Sequence, residues 1–266
     1  SCVMLWINII IAILMLWEDM PVMSQITTTH DIRHDLETQH YSLIRSSELS
    51  IPDTLRQDWL SLAIDYASLP VDAYLPNNGK YRFRRYGRYY FMPSSEELLP
   101  LPHEDYFQST DINSVTGGII RKFAPLSDTI FSNKFLKELI RFDFRHLPIA
   151  QQLKTEPWDV HVHLIRVTAN VGESGHPTPE GMHKDGAEFV TVHLAELVNA
   201  DGGAVTIYDN DKQELASYQL NQVMDCYLFN DEMLWHKDNP ITPIDPAHQA
   251  IRSILTFDYH HAPSLD

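Results

Sequence analysis

The chain has 266 residues, with 20 Lys or Arg against 36 Asp or Glu, so its formal charge at pH 7 is −16 with histidine neutral. This balance argues against a nucleic-acid binder, which needs a basic face to displace counterions from phosphates, and favours small-molecule or protein partners. Only 2 cysteines occur, too few for a disulfide framework or a thiolate zinc site, so we expect a reducing, cytoplasmic compartment. Histidine is the commonest metal ligand in proteins, and the chain has 14 histidines.

Residues 1–22 contain an almost unbroken apolar run over residues 3–17. The run is shorter than the ~20 residues that span a bilayer, and no Lys or Arg precedes it. The small-residue cleavage site of a secretory signal is also missing. We therefore interpret residues 1–22 as a non-native apolar extension, with a membrane anchor as the alternative. We expect residues 23–262 to form a single domain that does not associate with membranes.

The first part of this domain, residues 23–75, has a helical pattern. From residue 29 onward, apolar residues such as Tyr41 and Leu43 lie among polar ones. Residues 54–69 carry apolar side chains at the i, i+4, i+7 spacing of a helix. Residues 92–115 are rich in Pro, Ser and Asp and are expected to form a loop.

Residues 81–91, with the sequence YRFRRYGRYYF, predict a hairpin or a strand that bends around Gly87. Aromatic and arginine side chains alternate at its start, so the two kinds lie on opposite faces of an extended chain. The arginines could line a pocket for an acidic substrate, but a solvated basic face is the favoured interpretation. These arginines are Arg82, Arg84, Arg85 and Arg88.

Residues 131–144 predict an amphipathic helix. After this helix the pattern changes to short strands separated by Gly, Pro, Asn and Asp turns, which favours an all-β sandwich or jelly roll over residues 76–262. The predicted strands cover residues 158–171, 189–198, 204–208, 214–220, 224–229 and 251–259.

The residues that carry chemistry lie in the last third of the chain. His183 and Asp185 are two positions apart, so on an extended backbone both side chains point to the same face. His236 follows later in the chain. Two imidazoles and one carboxylate on one face of an ion are typical of non-haem Fe(II) oxygenases, because they leave coordination positions open. Arg252, at the start of the last strand, offers a planar partner for a buried carboxylate.

The block HPTPEGMHKDG over residues 176–186, followed by Gly202-Gly203 and the IYDND segment at 207–211, resembles the bacterial Fe(II)/2-oxoglutarate dioxygenases related to L-isoleucine 4-hydroxylase. The resemblance covers roughly residues 75–262. It implies a mainly β fold with a double-stranded β-helix (jelly-roll, cupin-like) core and flanking helices. It also implies Fe(II), with 2-oxoglutarate and O₂ as co-substrates. The implied reaction is hydroxylation or sulfoxidation of a free aliphatic L-amino acid such as isoleucine, leucine or methionine, with release of succinate and CO₂.

Position by position, the resemblance implies that the iron ligands are His183, Asp185 and His236. It implies that Arg252 pairs with the distal carboxylate of 2-oxoglutarate. Many relatives have a hydroxyl residue two places after this arginine, whereas this chain has Ile254. Help from a hydroxyl group must then come from elsewhere, and the candidates in the same strand are Ser253 and Thr256.

Two residues of the block are candidates for substrate binding. Glu180 is suited to a substrate ammonium group, and equally to the cap of a turn. His176 is suited to the mouth of the pocket, and equally to the ordering of its own loop. A free amino acid needs a partner for each of its charges, because unpaired charges are costly to desolvate. The candidates for its carboxylate are the four arginines of residues 81–91.

The other histidines have simpler interpretations. His161 and His163 lie on one face of a strand, but no carboxylate follows at metallohydrolase-like spacing. Core or pocket histidines are therefore favoured over a second metal site. His193 is expected to be a hydrogen-bonded core residue, and His260-His261 to lie at the surface.

Two other classes of function compete with the dioxygenase. One is a non-catalytic jelly-roll module that binds a metal or a small ligand. The other is a zinc hydrolase, which a 2-His-1-carboxylate set followed by an oxoacid-binding arginine disfavours. A module freed from catalysis has no need to keep three ligands and Arg252 together, so the enzyme is the favoured interpretation.

Overall fold

The computed structural model describes residues 25–113, 115 and 117–262. The predicted apolar extension over residues 1–22 lies outside the described residues. The single domain expected over residues 23–262 stays a prediction. None of the helices in the described ranges is both long enough and apolar enough to cross a membrane.

The described residues form four α-helices: α1 (Ile32–Gln39), α2 (Arg56–Tyr66), α3 (Asp128–Ser132) and α4 (Lys134–His146). α2 confirms the helix predicted over residues 54–69, with shorter ends. α4 confirms the helix predicted over residues 131–144, but it begins later because Asn133 lies between α3 and α4 in an extended conformation. The Asn133 side chain accepts a hydrogen bond from the Leu136 N–H and so caps α4.

The helical prediction for residues 23–75 is wrong over three short segments. These segments are strands β1 (Thr27–Thr28), β2 (Tyr41–Ile44) and β3 (Leu49–Ser50). His40 has a positive φ of 70° and ends α1. The four residues of β2 then alternate between partly and fully buried, as in a strand, and pair with the later strand at Cys226–Asn230. A stretch this short shows no distinct helical or strand period, so tertiary pairing decides its conformation.

The remaining strands follow in chain order. They are β4 (Arg82–Met92), β5 (Glu97–Pro100), β6 (Ala124–Pro125), β7 (Trp158–Ala169), β8 (Phe189–Val198), β9 (Ala200–Gly202), β10 (Val205–Tyr208), β11 (Glu214–Tyr218), β12 (Cys226–Asn230), β13 (Trp235–Asp238), β14 (Ile241–Pro243) and β15 (Ala250–His261). All strands predicted from residue 158 onward are confirmed, with ends shifted by a few residues.

Two sheets carry the site. The larger has the order β2-β12-β8-β15-β7-β4-β5, with β6 beside β4, and the smaller has the order β11-β10-β13. A shared apolar cluster joins them, with Val190 and Val192 from β8 packing near Val205 and Ile207 from β10. Two antiparallel sheets packed face to face are the arrangement of a jelly roll, which confirms the predicted mainly β class with flanking helices.

The faces of the large sheet differ in chemistry. On β7 and β15, one set of alternate residues, including Val162, Leu164 and Phe257, packs into the main apolar core. That core also contains residues of α4, so the helix covers this face. The opposite set, including His163 and Thr256, lines a cavity between the two sheets. The period of two in a strand therefore separates the core from the candidate site.

β4 differs from its prediction. The chain does not bend at Gly87, and β4 pairs with β7 continuously on both sides of this residue. A Cβ at Gly87 would lie 2.7 Å from the Phe131 ring and 2.8 Å from Leu126, so glycine permits close packing here and does not form a turn. The predicted loop over residues 92–115 is also wrong at β5, which pairs with the end of β4.

Candidate active site

His183, Asp185 and His236 come together between the two sheets. The N–H of His183 donates to the His236 carbonyl oxygen, and the reverse bond has the same 3.0 Å length. Nε2 of His183 lies 3.5 Å from Oδ1 of Asp185, and Nε2 of His236 lies 3.6 Å from Oδ2 of Asp185. Ligand atoms of the three residues all lie within 4.8 Å of one another. This donor set fits one metal ion and leaves room for further ligands.

The loop that carries Asp185 is held by a second carboxylate, Asp231. Its oxygens accept the backbone N–H groups of Asp185, Gly186 and Ala187 at 2.7 to 3.2 Å. Burial and the negative charge of Asp185 raise the pKa of Asp231 to about 7. Asp231 could not be identified from the sequence, because a lone aspartate after a strand belongs to no motif. Groups behind the ligands fix their orientation in many metal sites.

The three side chains influence one another's charge. Burial opposes ionisation of Asp185, but the electrostatic interaction with the His236 imidazole and the hydrogen bond from His183 lower its pKa to about 2. Burial alone would lower the pKa of His183, but the hydrogen bond to Asp185 and the charge of Glu180 raise it to about 10. Burial and the charge of His183 lower the pKa of His236 to about 3. A metal ion that binds here therefore displaces a proton from His183.

Arg252 is buried behind the cavity, with 1% of its surface exposed. Its Nη2 donates to Oδ1 of Asp238 at 3.3 Å, while Nε and Nη1 have no hydrogen-bond partner in the described chain. Gly203 makes the space for this side chain: a Cβ there would lie 2.8 Å from Cδ and 2.9 Å from Nε of Arg252. Two buried N–H donors on a planar cation fit a carboxylate such as that of 2-oxoglutarate.

Hydroxyl groups near Arg252 have distinct positions. Thr256 lines the cavity, and its Oγ1 has no hydrogen-bond partner within the described ranges. Tyr227 also lines the cavity, and burial raises the pKa of its phenol, an effect that the charge of Arg252 partly opposes. Ser253 points the other way and donates to Oε2 of Glu196 at 2.7 Å, so its candidacy as the helper of Arg252 is wrong. Residues an odd number of positions apart in a strand face opposite sides, which explains the difference between Ser253 and Thr256.

The favoured interpretation of the β4 arginines as a solvated face is wrong for Arg82 and Arg84, which are 6% and 7% exposed and line the cavity. Arg82 is paired with Asp72 at 2.9 Å. Arg84 has no carboxylate partner: its Nη2 lies 2.6 Å from Nδ1 of His163, and its Nε has no partner among the residues described. Burial lowers the pKa of Arg84 to about 10. The alternation of residues at the start of β4 predicts two faces of different chemistry, but it does not predict which face the second sheet covers.

The other two arginines of β4 are held elsewhere. Arg85 donates from Nη1 to the carbonyl oxygen of Pro125 at 2.9 Å. Arg88 pairs with Asp159 and Glu104. Neither arginine is part of the cavity lining, so Arg84 is the member of the predicted set that is best placed to meet an anion.

The loop over residues 92–115 and the segment after it contribute cavity residues that the sequence analysis missed. Tyr106, Gln108 and Arg121 all line the cavity. Nη2 of Arg121 donates to Oε1 of Gln108 at 2.6 Å, and Gln108 donates to the carbonyl oxygen of Asp185 at 3.0 Å. The guanidinium groups of Arg84 and Arg121 both lie over aromatic rings, at 3.9 Å and 4.7 Å from the centroids of Phe123 and Tyr106. No local motif marks these residues, because loop folding brings them to the site.

Glu180 and His176 occupy different places. Glu180 lines the cavity, with Oε1 3.8 Å from Nε2 of His183 and 3.5 Å from Nδ2 of Asn113. His176 packs edge-on against Tyr81, with the ring centroids 5.6 Å apart, outside the set of lining residues. Glu180 is therefore placed to bind a cationic group of a ligand. The contact of His176 with Tyr81 fits a role in ordering its own loop.

The other histidines follow their predictions in part. His163 is a pocket histidine, as predicted, and its Nε2 lies 3.0 Å from Oδ2 of Asp258. His193 is a core histidine, as predicted, bonded to Asp143 at 2.8 Å. His260 and His261, expected at the surface, are both partly exposed, and each contacts a neighbouring side chain. His260 packs 4.4 Å from the His161 ring, and His261 bonds to Glu156 at 2.6 Å.

This fold and this donor set define a class of non-haem iron oxygenase. The 2OG-Fe dioxygenase family model matches residues 64–258 of the chain, and the chain belongs to this family. It is an Fe(II)- and 2-oxoglutarate-dependent dioxygenase with a double-stranded β-helix core. The predictions of fold, enzyme class and cofactors are therefore confirmed. Membership in an enzyme family disfavours the non-catalytic module and the zinc hydrolase.

Two curated relatives are similar over most of the chain. L-isoleucine-4-hydroxylase of Bacillus thuringiensis is 27% identical over 233 residues, which cover 85% of this chain and 93% of that protein. The 3(1)-hydroxy-L-isoleucine 4-dioxygenase of Pantoea ananatis is 24% identical, with 83% of this chain and 88% of that protein covered.

Solved structures share the fold. A bsmA homolog from Methylobium petroleophilum has a TM-score of 0.73 at 27% identity, and the match covers 88% of this chain and 94% of that chain. IDO from Bacillus thuringiensis has a TM-score of 0.70 at 22% identity, with 87% of this chain and 95% of that chain covered.

Proposed function

We propose that this dioxygenase hydroxylates or sulfoxidises a free aliphatic L-amino acid such as isoleucine, leucine or methionine, with release of succinate and CO₂. The observation that carries the proposal is the presence of both cationic and anionic side chains in one cavity. Arg84 and Arg121 lie there without a carboxylate partner in the described chain, and Glu180 lies there beside His183. A zwitterion needs a partner of each sign when it leaves water. The names of the two curated relatives, both tied to isoleucine, agree with this substrate class.

The metal and 2-oxoglutarate are assigned to the residues that match the iron ligands and the 2-oxoglutarate arginine of the related dioxygenases. His183, Asp185 and His236 hold Fe(II), which together with 2-oxoglutarate and O₂ supplies the oxidising chemistry when bound. Asp231 fixes the backbone around Asp185 and so keeps its carboxylate in reach of the metal.

Arg252 binds the distal carboxylate of 2-oxoglutarate through its two unpartnered N–H groups. In the place of the missing hydroxyl at Ile254, we assign the supporting role to Tyr227, with Thr256 as a second donor. A ligand that reaches Arg252 lies between the two sheets, where the apolar side chains of Val192 and Ile254 exclude water.

The substrate is held by groups on the other side of the metal site. Arg84 and Arg121 bind its carboxylate and Glu180 binds its ammonium group, which leaves the aliphatic side chain to face the metal. His176 remains a prediction for the mouth of the pocket, acting through its contact with Tyr81. Aliphatic side chains that differ by a methylene are separated by only about 1–3 kcal/mol in an apolar pocket, so related amino acids should also react.

A screen of all standard amino acids tests the substrate class. Each is incubated with the enzyme, Fe(II), ascorbate and 2-oxoglutarate, and mass spectrometry follows products that are one oxygen atom heavier. We expect oxidised products from aliphatic amino acids or methionine, with matching succinate. Blocking the amino or carboxyl group of an active substrate should abolish its oxidation, because each charge then loses its partner.

A pair of variants on one strand sharpens the test. Arg84→Gln removes a cavity cation, whereas Arg85→Gln, the matched control, removes a cation outside the cavity lining. We expect the first to raise KM for the amino acid by about 10-fold or more, as loss of a charge-assisted hydrogen bond of about 1.5–3 kcal/mol implies, and the second to leave it unchanged. Equal effects of both variants, or oxidation of no free amino acid although 2-oxoglutarate binds, would exclude the proposal.

A further inference from the structure

A second group of potential ligands lies on the same face of the large sheet as the candidate active site. His161 on β7 is directly opposite Asp258 on β15, and His260 follows two residues later on the same face of β15. The rings of His161 and His260 are 4.4 Å apart. Ligand atoms of His161, Asp258 and His260 all lie within 4.8 Å of one another, the same limit that the His183 group meets. The pairing register of two long strands therefore produces this convergence.

Asp258 provides an independent indication of a ligand. The residue is 2% exposed, and its Oδ2 accepts a hydrogen bond from Nε2 of His163 at 3.0 Å. The other ring nitrogen of His163 faces a donor of Arg84, so the proton of the neutral imidazole is on Nε2. Oδ1 of Asp258 has no hydrogen-bond partner in the part of the chain that the structure describes. A buried carboxylate oxygen without a partner is costly, and a cation would satisfy it.

Both ring nitrogens of His161 face other side chains, and the contact of Nε2 is the longer of the two. Its Nδ1 lies 3.1 Å from the Tyr86 hydroxyl, a contact that orients the ring and leaves Nε2 for another partner. That Nε2 is 3.4 Å from Oδ2 of Asp159, a carboxylate already paired with Arg88. A cleft lined by His161 and His260 gives access from outside. Asp185 lines this cleft as well as the central cavity, so the two groups are neighbours.

We propose that His161, Asp258 and His260 form a second cation site, distinct from the site of His183, Asp185 and His236. Two imidazoles and one carboxylate suit a borderline first-row ion such as Zn(II) or Co(II), and they do not suit Mg²⁺ or Ca²⁺, which prefer oxygen ligands. The site does not depend on the identity of the substrate. It revises the sequence-based preference for plain pocket histidines, because the carboxylate comes from a neighbouring strand and not from a nearby position in the chain.

Titration of the metal-free full chain with Co(II) tests this site. Equilibrium dialysis gives the number of bound ions, and visible absorption distinguishes their environments. We expect two equivalents for the unmodified chain, and one equivalent for each of His260→Asn and His161→Asn. His261→Asn is the matched control, since His261 is adjacent but bonded to Glu156, and it should keep two equivalents.

A further variant separates the two sites. His183→Ala should keep one equivalent, and the absorption of that ion should not respond to 2-oxoglutarate, whereas the ion kept by His260→Asn should respond. Uptake of one equivalent by the unmodified chain would overturn the proposal. Retention of both equivalents by His161→Asn and His260→Asn would overturn it as well. If one of the two variants misfolds, the other still tests the site. Metal binding is measured without enzyme turnover.

Discussion

Gly203 makes the space for Arg252, so Gly203→Ala perturbs the proposed 2-oxoglutarate site without removing any of its polar groups. The new Cβ would lie 2.8 Å from Cδ and 2.9 Å from Nε of Arg252, closer than such atoms can approach. The guanidinium must therefore shift, and its N–H groups lose their alignment with the carboxylate. Loss of one charge-assisted hydrogen bond, about 1.5–3 kcal/mol, corresponds to a KM for 2-oxoglutarate about 10- to 150-fold higher.

The chain offers a matched control for this variant. Gly203 has a φ of 72°, and Gly172 has a φ of 78° with no atom within 4 Å of its would-be Cβ. Both substitutions place a side chain in the left-handed region, which costs roughly 1–2 kcal/mol of stability. Steady-state kinetics with varied 2-oxoglutarate should show a raised KM for Gly203→Ala only. An unchanged KM in Gly203→Ala, or an equal rise in both variants, would refute the assignment of Arg252.

Three further predictions concern other parts of the molecule. Asp231→Ala should weaken Fe(II) binding by about 10- to 100-fold in equilibrium dialysis, because the loop around Asp185 loses its hydrogen-bond acceptor. The adjacent Glu232→Ala should leave Fe(II) binding unchanged. Equal Fe(II) affinities of the two variants would contradict the role of Asp231. Tyr227→Phe should raise KM for 2-oxoglutarate more than it changes kcat, and an effect confined to kcat would argue against the contact. Hydrogen bonds to Asp35 and Glu48 outweigh burial and raise the pKa of His30 above 6.5, so charged His30 stabilises the fold fully below pH 6.5 and this contribution disappears as the pH rises through the raised value. The difference in melting temperature between the unmodified chain and His30→Gln should therefore shrink at higher pH, and a constant difference would contradict the argument.

Much of the fold could be predicted because its signals are local. The strands after residue 158 alternate between apolar and polar residues and end at turn residues, and the structure has strands at these positions. The strand conformation of Tyr41–Ile44 and the absence of a bend at Gly87 could not be predicted in this way. The first is too short to show a period, and the second is a glycine whose role depends on packing against Phe131 from a distant segment.

The candidate site shows the same division. The grouping of His183, Asp185 and His236 followed from a short motif, a resemblance and a later strand, and the structure places their ligand atoms close together. Asp231 and Arg121 reach the site from turns and loops, where no periodic pattern announces a role. The alternation at the start of β4 correctly places Arg82 and Arg84 on the face opposite Phe83. It does not predict that a second sheet covers the arginine face, because that is a long-range property.

Isotope-labelled O₂ shows whether this iron and 2-oxoglutarate site oxidises a free aliphatic amino acid. The enzyme is supplied with Fe(II), 2-oxoglutarate and L-isoleucine, L-leucine or L-methionine under the labelled gas, and mass spectrometry follows the amino acid and succinate. We predict one labelled oxygen atom in the oxidised amino acid for each succinate formed, and none in the His183→Ala variant. Formation of succinate without oxidation of any free amino acid would contradict the proposed function.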